Sequence, residues 1–137
     1  MSSIAPDTIV TPYHPVRSPG VLVIDDQAEV LSLIGRILSR DGYTPFLAMD
    51  GIEGMVLFEK HHDRIDVVIL DWHLPEWSGR ETLRRLTKRR PNLRVVLSTG
   101  DREAALDKTD RELFSCLLLK PFTPGELMLA VGALAPV

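Results

Sequence analysis

Short apolar runs alternate with amphipathic helical patterns five times along this chain, and that alternation restricts its fold more than any other feature. Val21 to Asp25 reads as a strand and is followed by a helix from Gln27 to Arg40, with Val30, Ile34, Ile37 and Leu38 on one face. Asp41-Gly42 stops that helix, because glycine takes the left-handed conformation without penalty. A second strand, Tyr43 to Ala48, precedes a helix opened by Asp50-Gly51 and reaching Lys60, with Met55, Val56 and Phe58 as its apolar content. The third strand, Ile65 to Asp71, is apolar on both faces, as a central parallel strand must be. The third helix is expected from Gly79 to Arg89, and Pro91 forbids its continuation. Leu93 to Ser98 is the fourth strand, Asp101 to Phe114 a polar helix, and Ser115 to Lys120 the fifth strand. Pro124, suited to a first helical turn, starts a last helix to Leu134. The expected fold is therefore α/β: a parallel five-stranded sheet between two helical layers, built from right-handed crossovers.

A chain of 137 residues suits one domain with one real core. A net charge of -3 argues against a dedicated nucleic-acid binder, and no segment is long and apolar enough to span a bilayer. The lone Cys116 excludes an internal disulfide and is expected to be a small buried strand residue. Residues 1–19 hold Pro6, Pro12, Pro15 and Pro19 without a continuous apolar stretch, so they read as a flexible leader rather than a secretory signal. Residues 20–137 are then the domain, and a cytoplasmic location is the default. Arg84, Arg85, Lys88, Arg89, Arg90 and Arg94 read as a solvated helical face, since no aromatics interleave them. His61 and His62 read as a polar helix end without matching metal ligands, and His14 has no assigned role. Trp77 either packs over the loop after Pro75 or marks a contact.

Polar residues gather at the strand exits. Asp25 and Asp26 close the first strand, Asp71 the third, Thr99 the fourth and Lys120 the fifth. Parallel sheets bind ligands beyond the carboxyl ends of their strands, at the switch point, which lies between strands one and three in the order 2-1-3-4-5. Those two strands carry the three aspartates. Adjacent carboxylates repel, and a hard oxygen-seeking cation such as Mg2+ relieves the repulsion. Aspartate can act as a covalent acceptor, and phosphoryl transfer asks mainly for positioning and charge neutralisation, which Lys120 and a metal can supply. Asp26 is also a candidate cap for the first helix.

These residues, with Trp72-His73-Leu74-Pro75 and Gly79, Ser98-Thr99-Gly100 and Lys120-Pro121-Phe122, make the chain resemble a two-component response-regulator receiver domain over residues 20–135. The resemblance implies a flavodoxin-like (βα)5 sandwich with Asp71 as phosphoacceptor. Asp25, Asp26, Asp71 and the His73 backbone carbonyl would hold Mg2+. Thr99 would be the switch hydroxyl, with Ser98 as the alternative, and Lys120 would bind the phosphoryl group. It also implies a cis Lys120-Pro121 bond.

The chain departs from the family where Leu117 replaces a usual aromatic three residues before the lysine. The segment between Thr99 and Lys120 is about one residue short, and Thr109-Asp110 is expected to split or fray the fourth helix. Trp72 and His73 are expected to crowd the acceptor. The expected function is a stand-alone receiver, not an enzyme with external turnover. Its phosphodonor would be a sensor histidine kinase or a histidine phosphotransfer protein, and its downstream protein target is not legible. It would be a monomer or weak dimer, with no nucleic-acid or membrane partner. A non-phosphorylated pseudo-receiver scaffold and a haloacid-dehalogenase-type phosphatase are the competing readings.

Overall fold

The computed structural model describes residues 18–101 and 105–136. Five strands, β1 (Gly20–Ile24), β2 (Thr44–Ala48), β3 (Ile65–Asp71), β4 (Arg94–Thr99) and β5 (Cys116–Leu119), form a parallel sheet in the order β2-β1-β3-β4-β5. The helices are α1 (Ala28–Arg40), α2 (Gly51–His61), α3 (Gly79–Arg89), α4 (Lys108–Leu113) and α5 (Pro124–Leu134). The sheet order and the three layers are those read from the sequence. Most of the expected leader, residues 1–19, lies outside the described residues, as does His14. Ser18 and Pro19 already join the sheet: the Ser18 hydroxyl bonds Thr44 Oγ1, and the Pro19 carbonyl accepts from Thr44 N at 2.9 Å.

Successive strand residues point to opposite faces, so the sheet divides the core in two. Val21, Val23, Val67, Ile69 and Val96 pack under α1 and α5. Leu22, Ile24, Val68, Leu70, Val95 and Leu97 pack under α2 and α3 with Phe58, Leu83 and Leu86. Each fully buried side chain of this size contributes roughly 1.5–3 kcal/mol by leaving water. Burial on both faces is why β1 and β3 are largely apolar; Asp66, near the start of β3, is the exception and accepts from Gly20 N at 2.9 Å, while Asp71 closes the strand at its carboxyl end.

Local chemistry fixes the helix entries. Asp50 accepts from Glu53 N at 2.7 Å, Ser78 from Glu81 N at 3.1 Å, and Thr123 with Glu126 closes a reciprocal capping box. Asp26 does not cap α1. The N-cap is Gln27, without a side-chain cap, and its N–H is taken at 2.9 Å by Asp25 Oδ1. Gly79 is required by close approach: a Cβ there would lie 2.5 Å from the Trp72 backbone, to which the Gly79 N–H also bonds at 3.1 Å.

The fourth helix differs most from expectation. It runs only from Lys108 to Leu113, and residues 102–104 lie outside the described residues. Asp107 caps it and Asp110 returns the bond, at 2.8 and 3.0 Å, so Asp110 anchors the helix start instead of fraying it. Strands four and five shift by a residue at their ends, to Arg94–Thr99 and Cys116–Leu119. Cys116 is only partly buried, because β5 is an edge strand. Lys120-Pro121 is cis, as the resemblance implied.

Candidate functional site

The site grows from the parallel register. Ile24 pairs with Leu70 and Asp71 with Ser98, so the residues that follow β1, β3 and β4 emerge together at one edge. Carboxylate oxygens of Asp25, Asp26 and Asp71 all lie within 4.8 Å of one another. Asp25 and Asp71 are buried, 2% and 5% exposed, whereas Asp26 opens to solvent. Lys120 reaches in from the end of β5: its Nζ donates to Asp25 Oδ2 at 2.9 Å and to Asp71 Oδ2 at 3.3 Å. The Lys120 backbone N–H bonds the Thr99 carbonyl at 2.8 Å, which ties the lysine to the end of β4.

Two charges in this cluster are displaced from their ordinary values. Burial pushes the Asp71 carboxyl upward, and the nearby Asp25 charge adds to the rise. The His73 N–H, donating to Asp71 Oδ1 at 3.0 Å, and the Lys120 ammonium pull it back without cancelling it. For Lys120, burial acts downward, but the hydrogen bond and charge of Asp25 and the charge of Asp71 outweigh it, so the ammonium is held above the usual lysine value. One ammonium thus serves two buried carboxylates, and among the described residues no cation pairs with the third. The donor set is all oxygen, and its negative charge exceeds its positive charge. A hard divalent cation such as Mg2+ fits those donors, with Asp26 on the open side.

Thr99 is fully buried, and its Oγ1 accepts from Asp101 N at 3.1 Å. Ser98 is also buried, but its hydroxyl has no partner among the described residues. The two residues therefore differ: Thr99 is tied to the following loop, and Ser98 is an orphan. Trp72 does not crowd the acceptor. Its indole is 8% exposed and belongs to the core under α2 and α3, with the Arg80 guanidinium 5.3 Å from the ring centroid. The side chain of His73 is exposed. Leu117 is 41% exposed on β5.

A family comparison agrees with this arrangement. The response regulator receiver domain family matches residues 21–132. The chain belongs to that family. Sporulation initiation phosphotransferase F of Bacillus subtilis is 30% identical over 118 residues, covering 85% of this chain and 94% of that protein. Response regulator MprA of a Mycobacterium species (strain KMS) is 34% identical over 125 residues, and this chain spans about half of its length. A solved receiver domain protein from Clostridium thermocellum superposes with a TM-score of 0.77 at 30% identity, covering 84% of this chain and 92% of that one. The chain is thus a receiver domain of the two-component response-regulator type, a family of signalling domains phosphorylated on aspartate. Receiver domains of this family bind Mg2+ in an acidic pocket and work with kinases or phosphotransfer proteins. Among the described residues no helix is long and apolar enough to cross a membrane.

Sequence reasoning missed one contact between helices. Asp110 is fully buried and takes the Arg80 guanidinium in a fork, with Nε at 3.2 and 3.0 Å and Nη2 at 2.9 Å, while Arg84 reaches it at 3.2 Å. The signal was present as Asp107-x-x-Asp110, a capping-box spacing. Within the basic stretch read as a solvated face, three side chains stay about half exposed and also carry ion pairs: Arg84 with Asp107 and Asp110, Arg85 with Glu81, and Arg89 with Glu59. His61 is likewise not a bare polar end, because its ring stacks on Phe46 at 4.7 Å.

Proposed function

We propose that Asp71 accepts a phosphoryl group from the phosphohistidine of a sensor histidine kinase or histidine phosphotransfer protein. The observation that carries this reading is the set of three strand-end carboxylates within 4.8 Å, with Lys120 bonded to two of them. A carboxylate oxygen of Asp71 forms the bond to phosphorus as the phosphorus–nitrogen bond of the donor breaks. The bonding pair stays on the imidazole, which takes a proton from water. Burial and the Asp25 charge hold the Asp71 carboxyl above its ordinary value, and the incoming phosphoryl group brings further negative charge for Lys120 and a bound cation to offset.

Asp25, Asp26, Asp71 and the His73 carbonyl would hold Mg2+, which supplies charge neutralisation to the transferred group. Lys120 already stands between Asp25 and Asp71 and follows the charge as it moves onto the phosphoryl oxygens. Thr99 is the switch hydroxyl. Its oxygen accepts from Asp101 N, and the turn of the side chain that aims its O–H at a phosphoryl oxygen would pull on that hold on the following loop. An apolar groove of about 380 Å3 runs from Val30, Leu33 and Ile34 to Lys120-Pro121-Phe122, beside the acceptor, and suits a donor helix. Residues 20–137 are the receiver unit, and no external substrate is turned over.

Acetyl phosphate with Mg2+ is expected to add one acid-labile phosphoryl group by intact mass, lost in Asp71→Asn. Mg2+ is expected to raise the melting temperature by binding only the folded state, with Asp25→Ala weakening the shift. A pseudo-receiver would give no adduct even with a cognate kinase, and a phosphatase would turn over a phosphomonoester in excess of protein.

A further inference from the structure

The phosphoryl site uses neither α2 nor the basic face of α3, yet those two helices border a groove of about 700 Å3. Its walls are Met55 from α2 and Glu81, Arg84, Arg85, Lys88 and Arg89 from α3, four cations against one carboxylate in a chain of net charge -3. The cations remain largely open to water: the side chains of Arg85 and Arg89 are 49% and 53% exposed. Their partners Glu81 and Glu59 are surface carboxylates, and such ion pairs hold weakly enough to exchange. Lys88 has no carboxylate partner among the described residues.

A second feature lies beside the first. On α2, Ile52, Met55 and Val56 fall on one helical face at i, i+3 and i+4, and Ile52 and Val56 are 40% and 61% exposed. Only Phe58 among the large apolar residues of that helix is fully in the core, so the helix is apolar on its inner side and again on part of its outer side. A merely solvated face has no use for an isoleucine and a valine at helical spacing next to a cationic row. Nucleic acid fits poorly, since phosphates would lie against the apolar ridge.

We propose that the α2–α3 groove is the docking site for an acidic amphipathic helix of a partner protein. Its apolar stripe would lie on Ile52, Met55 and Val56, in the helix-in-groove mode, while its carboxylates reach Arg85, Lys88 and Arg89. Charge complementarity selects the partner and speeds encounter, and the ridge supplies the apolar burial. The site is separate from Asp71.

The test uses the full chain and a fluorescein-labelled synthetic Leu/Glu helix of about five turns, read by fluorescence anisotropy. Saturable binding is expected, weakened at least ~10-fold in Arg85→Glu/Lys88→Glu and at least ~5-fold in Val56→Ser, the range in which a few interface groups act. A peptide of the same composition with its apolar stripe scrambled is expected to bind more weakly. Both variants should keep the wild-type circular dichroism spectrum and phosphoryl adduct. Absence of saturable peptide binding overturns the proposal. So does binding unchanged in both variants, or tighter binding of a DNA duplex of equal charge. Self-association lost in Val56→Ser, without peptide binding, would replace the partner with a second copy.

Discussion

Two buried aspartates, Asp71 and Asp110, stand in opposite electrostatic situations. Asp71, 5% exposed, shares one ammonium with Asp25 and has that second carboxylate close by. Asp110, fully buried, is met by two guanidinium groups and by the Asp107 backbone N–H. Burial pushes both carboxyls upward. At Asp110 the Arg80 hydrogen bonds, the Asp107 N–H and the charges of Arg80 and Arg84 more than reverse the push, and the carboxyl lies below its ordinary value. At Asp71 they do not, and it lies above. The Asp110 carboxylate holds α4 onto α3. The Asp71 carboxylate is left under-compensated, which suits the acceptor role proposed for it.

The largest effect expected from this contrast is at Asp110. Asp110→Asn keeps the shape and removes the charge, stranding two arginines; it should lower stability by about 3 kcal/mol, near the low end for a broken buried pair because Arg80 is partly exposed. Urea unfolding reads it, and a loss under about 0.5 kcal/mol would erase the contrast. Asp71→Asn should act the other way, raising stability by about 1 kcal/mol at neutral pH, as relief of a functional-site cost commonly does.

The pH dependences should also oppose each other. Asp110 has a lowered folded-state pKa, so its contribution is complete above the ordinary value of 3.8 and fades as pH falls. Asp71 has a raised one, so its cost is absent in acid and grows as pH climbs upward from 3.8. Stability differences between each variant and wild type, followed from acid to neutral pH, should therefore widen with opposite signs. Parallel curves would mean that the two sites are electrostatically alike.

The smallest effect concerns the two hydroxyls. Ser98→Ala removes an orphan buried group, and should be neutral or stabilising by under about 1 kcal/mol with the phosphoryl adduct retained. Thr99→Ala should leave phosphorylation possible and abolish any phosphorylation-dependent change in exchange of the Asp101 amide. A switch lost in Ser98→Ala instead would exchange their roles.

The sheet was legible because its signals are local and repeated: β1 and the run from Val67 to Leu70 in β3 are apolar on both faces, and Asp25 and Asp71 after them mark the carboxyl edge. The association of Asp25, Asp26 and Asp71 followed from strand order; Lys120, on the edge strand β5, joined them through the family resemblance. The α3–α4 contact did not, because Arg80 and Asp110 stand thirty positions apart and each reads locally as a surface residue. Only packing turns one into a clamp on the other. Asp26 misled for a related reason: adjacent aspartates compete for one helix entry, and backbone geometry gave the Gln27 N–H to Asp25. Trp72 misled because alternation along β3 sends its indole to the opposite side from Asp71.

The central claim is that Asp71 and no neighbouring carboxylate carries the phosphoryl group. Borohydride reduces an aspartyl phosphate to homoserine, leaving a permanent mark that peptide mass spectrometry can place. After incubation with acetyl phosphate and Mg2+, the account predicts homoserine at position 71 alone. Homoserine at position 25 or 26, or an unmodified chain under conditions that label a known receiver, would contradict it.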